Sequence, residues 1–331
     1  MSSQRRAWSA GDRLRRPLSA ILAIPLLLML PVEWPQAGTV RAVNPETTSA
    51  RGELEQLQKK YGLTLGFVDD RGRISMLNFK KRAFVARSVE AGTYDGRIAP
   101  DGKLAALRDE REPFTLAIVR LDGTTLKKYS GVRGFPFCWS YDSSRLMLVT
   151  TSEFQLQVME VASGVVQTLP VEQVSQTDGF TSQCWSPDGK QIVYPSSDGY
   201  VAVYDFEKQM STKLTKGANP TWTPDGNWIA YRDGDTYYAI HPSGEGRKKL
   251  FHKTRAISGL LWSPDSRFVA YIHEDLISLL GYSRVMVRRL ADGSEEWVAQ
   301  GVDAGDDGYQ WIQNPQLTEW VESGNQKYQW P

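Results

Sequence analysis

The segment CWSPDGKQIVY at Cys184–Tyr194 recurs in register along the chain, and this recurrence restricts the fold more than any other feature. Related copies read RIAPDGKLAAL from Arg97, CWSYDSSRLMLV from Cys138, TWTPDGNWIAY from Thr221 and LWSPDSRFVAY from Leu261. Their turn aspartates, Asp101, Asp142, Asp188, Asp225 and Asp265, are 41, 46, 37 and 40 residues apart. Such a period matches one four-stranded blade of a β-propeller.

The turn has a mechanical reading. Pro187 presets φ for a type I turn, Asp188 bonds to nearby backbone, and Gly189 takes the left-handed conformation that closes a bulged hairpin. After each turn comes a β-branched and aromatic run, such as Arg145–Thr150 or Gln191–Tyr194, which reads as a second strand. A third strand follows in every copy, for example YVAVYDFEKQ from Tyr200. The fourth is short and generally charged, as in LKKYS from Leu126 and EEWVAQG from Glu295, which suits an outer edge. An aromatic content of 11%, with 28 Gly and 17 Pro, agrees with many short strands joined by tight turns.

Two fragments complete the ring. Residues 63–89 hold second, third and fourth strands without a first, and Tyr309–Pro315, with Trp311, has the pattern of the missing first strand. The predicted fold is therefore all-β: a six-bladed propeller of four-stranded antiparallel blades, closed by the C-terminal strand joining the N-terminal blade. Predicted boundaries are a leader over residues 1–37, a linker and short helix over 38–62, the propeller over 63–315 and a tail over 316–331. The helix is expected at Ser49–Lys60, packed on the propeller.

The W-S-P-D-G turn with its flanking strands resembles the repeats of the TolB-like, WD40-like six-bladed propeller family. The resemblance covers about Leu63 to Pro315 and implies a propeller in the cell envelope. TolB proper carries an additional α/β domain before its propeller, for which this chain has only about 25 residues beyond its leader, so the resemblance bears on the fold more than on the TolB role.

The leader places Arg5, Arg6, Arg13, Arg15 and Arg16 before an uncharged, mostly apolar stretch from Pro17 to Val32. That stretch is short for a membrane-spanning helix and matches a secretory signal, so the expected location is periplasmic or secreted. The cleavage site is not clean, which keeps open an uncleaved inner-membrane anchor as the one route to membrane contact. Arg15-Arg16 is also similar to a twin-arginine signal, although an ordinary basic leader accounts for it. Outside the leader, 34 basic residues face 36 acidic ones. No basic field exists there to displace counterions from a polyanion, so no nucleic-acid partner is expected.

Cys138 and Cys184 each precede a Trp in successive repeats. Equivalent positions on neighbouring blades are expected to lie beyond disulfide reach, so two buried thiols is the favoured reading, with a bridge as the alternative.

Motifs of chemistry are scarce. The sequence has no G-x-S-x-G elbow. Its three histidines, His241, His252 and His273, fall on different strands, so no metal site and no cofactor is expected. Gly244-Glu-Gly246-Arg-Lys-Lys lacks phosphate-loop spacing, and Asp233-Gly-Asp235 and the run 303–307 lack calcium-loop spacing. No catalytic residue is nominated. The leading reading is a monomeric scaffold binding an envelope protein or peptide on a face or in the channel. By position in the repeat, the candidate contacts are Arg97, Phe135, Phe137, Tyr141, Gln183, Pro220 and Gln310. Two alternatives stand beside it: a propeller hydrolase or lyase acting on an extracellular polymer, and a structural partner tethered by its leader.

Overall fold

A computed structural model describes residues 49–321, except 69–72, 89–93, 110–114, 133, 151–152, 176–180, 255–257, 275–282, 301–308 and 318–320. The leader, the acidic run 303–307 and most of the tail lie outside the described residues.

Six antiparallel sheets succeed one another as the blades of a ring. Blade 1 joins Gln310–Gln313 to Leu63–Val68, Arg73–Asn78 and Ala83–Ser88, so the C-terminal strand closes the ring as the repeat predicts. Its register pairs Leu63 with Gln313, Leu65 with Trp311 and Gly66 with Gln310. Blade 2 runs from Tyr94–Ile98 to Thr125–Ser130, blade 3 from Gly134–Trp139 to Val166–Thr168, blade 5 from Ala218–Trp222 to Lys248–His252, and blade 6 from Leu261–Trp262 to Glu295–Gln300.

Blade 4 keeps the four-strand plan with an irregular first strand. Gln191–Pro195, Tyr200–Asp205 and Met210–Lys216 form a regular sheet. The segment around Cys184 joins it through the Trp185–Ile192 bridge and through bonds from the Val193 amide to the Cys184 carbonyl and from the Ser186 amide to the Gln191 carbonyl, both 2.8 Å. The backbone explains the irregularity. The Gln183 carbonyl accepts from the Trp222 amide of blade 5 at 3.0 Å, so the chain leading into this blade pairs partly with its neighbour.

The repeated turn is a closed hydrogen-bond device. In blade 4 the Ser186 hydroxyl donates to Asp188 at 2.6 Å and accepts from the Gln191 amide at 2.9 Å, while Asp188 accepts from the Lys190 amide at 3.0 Å. Ser140 with Asp142, Thr223 with Asp225, and Ser263 with Asp265 repeat the first contact. Gly189 has φ 68°, and where blades 3 and 6 carry serine instead, Ser143 and Ser266 still adopt φ 58° and 56°. Two L-residues accepting this disfavoured region show that the turn geometry is imposed by the blade.

Burial of Asp142 and Asp188 would by itself raise their carboxyl pKa values. Hydrogen bonds from Ser140 and Ser144, and from Ser186 and the Lys190 amide, more than offset it and hold both carboxyls below the usual range. In the unfolded chain such groups titrate near about 3.9. The folded state thus binds fewer protons in this region, and the stability contributed is complete above about pH 4 and lost as pH falls through the folded values. Thermal melts should be flat from neutral pH to about 5 and fall below about 4, and Asp142→Asn with Asp188→Asn should shallow that fall.

Apolar clusters fill the seams between consecutive blades. Trp139, Trp185, Trp222, Trp262 and Trp311 occupy the equivalent position and are all buried. Two of them show how they lock the ring: Trp139 Nε1 donates to the Arg97 carbonyl of the preceding blade, and Trp311 Nε1 to Leu261, each at 2.9 Å. Helix α1, Ala50–Tyr61, is capped by the Ser49 side chain and ends at Gly62 with φ 65°. It seals the seam of blades 6 and 1, where Ala50 and Leu54 join Phe79, Val298 and Trp311 in one core. Glu53 pairs with Arg267 at 2.6 Å and with Arg289 at 3.2 Å, both from blade 6. Beyond the closing strand, Leu317 and Val321 are buried against the seam of blades 1 and 2, so the described part of the tail packs on the ring.

One expectation is overturned. Cys138 and Cys184 form a disulfide with Cα atoms 6.3 Å apart, within bridging range. Inner strands converge on the ring axis, which brings equivalent positions of neighbouring blades closer than blade bodies stand. The bond staples blade 3 to blade 4 inside their shared core with Met147 and Trp185.

Candidate binding site

The channel mouth is the place where unrepeated residues of all blades meet, so it is the natural candidate. Its inner wall on the blade 4 side is the polar run Thr181-Ser182-Gln183, every residue of which is buried. Thr181 donates to the Pro220 carbonyl at 2.8 Å. Ser182 donates to the Tyr309 carbonyl of blade 1. Blades 4 and 1 stand opposite in a six-membered ring, so this bond crosses the channel. Gln183 reaches blade 6, where its amide donates to the Trp262 carbonyl and accepts from the Trp262 amide, both at 2.7 Å. Together these contacts bridge the channel at the level of the first strands.

The candidate residues therefore divide. Gln183, Pro220 and Gln310 are brought together around the axis and spend their polar groups within the ring, Gln310 donating to the Trp311 carbonyl at 2.9 Å. Arg97 is half-buried and donates to the Gly96 carbonyl at 2.9 Å. Phe135 and Phe137 lie on the first strand of blade 3, and their side chains are outside the described set. Tyr141 takes the turn position held elsewhere by proline. Its hydroxyl is buried with no hydrogen-bond partner among the described residues, and burial, followed by the charge of Asp225, pushes the phenol well above its ordinary pKa.

Gln183 separates an architectural from a ligand-binding role. Gln183→Ala strands a buried amide and a buried carbonyl of Trp262, each costing about 1–3 kcal/mol. Equilibrium denaturation should show a loss of about 2–3 kcal/mol. A ligand contact would instead leave stability unchanged.

Sequence reasoning missed Thr181 and Ser182. The available signal was local: Thr-Ser-Gln precedes Cys184-Trp185, where other copies have Phe-Pro-Phe, Ala-Asn-Pro or Ser-Gly-Leu. Other polar groups act locally. His241 contacts Ser243 at 2.8 Å and His252 contacts Thr236 at 3.1 Å. Among the described residues no group of three or more His, Cys, Asp or Glu is placed to hold a metal ion.

Several solved structures share this fold. A protein assigned as TolB from Agrobacterium tumefaciens aligns with TM-score 0.54 and 15% identity, over 75% of this chain and 98% of that one. TolB from Acinetobacter baumannii aligns with TM-score 0.56 and 16% identity, over 76% of this chain and 66% of that one. The fold is that of the TolB-like six-bladed propellers. A propeller from a nidogen/laminin complex also aligns, with TM-score 0.52 and 11% identity, over 75% of this chain and 97% of that one. No family model matches the chain, and no curated protein matches it. At these identities the likeness describes architecture, and function has to be argued from the surfaces.

Proposed function

We propose that this chain is an extracytoplasmic propeller scaffold that binds a protein or peptide partner on its faces and outer rims. The observation that carries this reading is the bridged channel. With Ser182 and Gln183 tied to blades 1 and 6, the polar groups at the axis are committed to holding the ring, and the surfaces left for a partner are the broad faces and blade edges. Broad, pre-organised surfaces suit macromolecular contacts better than enclosure of a small molecule. The nidogen/laminin neighbour comes from a complex of two proteins, which is in keeping with this reading.

Two features support an extracytoplasmic location. The basic and apolar leader reads as an export signal. The buried Cys138–Cys184 bond is of a kind that persists in oxidising compartments. The test is affinity capture with the full chain from envelope and cytosolic extracts side by side. A discrete partner enriched from the envelope extract is expected. Recovery of nothing above a control whose exposed surface residues have been scrambled would refute the scaffold reading.

A further inference from the structure

Outer blade edges offer unpaired backbone groups, and proteins usually guard them with charge. Five of the six outer strands here do so, with Arg87, Lys128, Lys213, Lys249 and Glu296 as examples. Blade 3 is the exception. Its outer strand Val166–Thr168 is uncharged and exposed, Val166 by 36%, and among the described residues it pairs on one side only, with Leu156–Glu160.

Apolar exposure concentrates beside it. The exposed large hydrophobic residues among those described are Leu126, Val165, Val166 and Met210, with Val165 63% exposed. Val165 and Val166 lie where the outer strand of blade 2 abuts blade 3: Lys127 Nζ donates to the Ala162 carbonyl at 3.0 Å and Tyr129 donates to the Val161 carbonyl. Between these blades opens a cleft of about 290 Å³, lined by Val132, Val166, Glu153, Gln155 and Gln157 among others. Glu153 is exposed in this cleft and has no ion-pair or hydrogen-bond partner among the described residues.

An open edge, two valines on the cleft beside it and a carboxylate with no partner among the described residues are complementary to one kind of guest. We propose that the blade 3 edge takes an extended segment of a partner protein as an added strand. Its backbone pairs with Val166–Thr168, alternate apolar side chains rest on Val166, and a Lys or Arg reaches Glu153. Main-chain bonds would supply affinity, and the alternating pockets selectivity. This rests on the scaffold reading above and assigns it a surface.

The experiment uses the full chain and the fluorescent peptide acetyl-Thr-Val-Thr-Val-Thr-Lys-Thr-amide, whose Val and Lys side chains share one face of an extended strand, followed by anisotropy to about 1 mM. Wild-type protein should bind it, and N-methylation of alternate peptide amides should abolish binding. Val166→Lys, at an exposed position that leaves the melting temperature unchanged, should weaken binding at least about tenfold. Glu153→Lys should reverse the preference in favour of a peptide with Glu in place of Lys. Wild-type binding that ignores Val166→Lys, or no binding to about 1 mM, would overturn the proposal. A wild-type dimer that Val166→Lys dissolves would also overturn it, assigning the edge to a second copy of the chain. Envelope capture separates the two levels. If Val166→Lys still captures the wild-type partner, only the edge assignment falls, whereas loss of capture by wild-type protein removes the scaffold reading itself.

Discussion

Truncation before Tyr309 is expected to abolish cooperative folding and yield aggregating protein. The deletion removes the strand Gln310–Gln313 from blade 1 and leaves Leu63–Val68 as an open edge in the middle of the ring. It also extracts Tyr309, Trp311, Ile312, Leu317 and Val321 from two inter-blade cores. Loss of a buried Trp costs about 3–5 kcal/mol by itself, and a typical domain is stable by only about 5–15 kcal/mol. The two backbone contacts Asn314 makes through its side chain to Asp101 and Gly102 go as well. Solubility and a calorimetric scan decide the matter. Soluble material with a single sharp transition would contradict closure by this strand.

Reduction of the Cys138–Cys184 bond is expected to be the next most damaging change. The cysteines are separated by 46 residues. Closing a loop of that size constrains the unfolded chain by about 4 kcal/mol in the chain-entropy view, so a loss of about 2–4 kcal/mol is expected. The comparison is denaturant unfolding of oxidised and reduced wild-type protein, with Cys138→Ala/Cys184→Ala as a reference that reductant cannot shift further. Thiol labelling of purified protein under denaturing conditions without reductant should find no free thiol. Two reactive thiols, or identical midpoints with and without reductant, would contradict the staple.

What the sequence revealed follows from which interactions are local. The turn aspartates, the blade period, the helix at 49–60 and the complementary end fragments were all legible, because hairpin geometry and strand alternation are written within a few residues. The helix observed at Ala50–Tyr61 and the strand at Gln310–Gln313 differ from expectation only at their ends. The disulfide was misjudged because inter-blade distance near the axis is a property of the closed ring, which no local pattern encodes. Similarly, the role of Gln183 depends on Trp262, 79 residues away, and that of Ser182 on Tyr309, 127 residues away. Choosing candidates by repeat position selected residues beside the first strands. It could not tell which polar groups were already satisfied there, and three of the seven, Gln183, Pro220 and Gln310, are.

The exposed rim of blade 3 shows the opposite limit. Its lack of charge is visible in GVVQTLP at Gly164–Pro170, yet the cleft beside it arises from blade 2 and only the assembled ring brings the two together. A missing charge matters only on a strand that ends as an edge, and the assembled ring decides which strands those are.

Native-state hydrogen exchange most directly tests the closed, internally bridged ring. The amides of Gln310 and Ile312, which face Gly66 and Thr64 across the closing pair, together with those of Trp222 and Trp262 that are held by Gln183, should exchange only through global unfolding and so be among the slowest in the chain. Exchange of residues 310–313 at the rate of a frayed terminus, with blades 2 to 5 still protected, would contradict it.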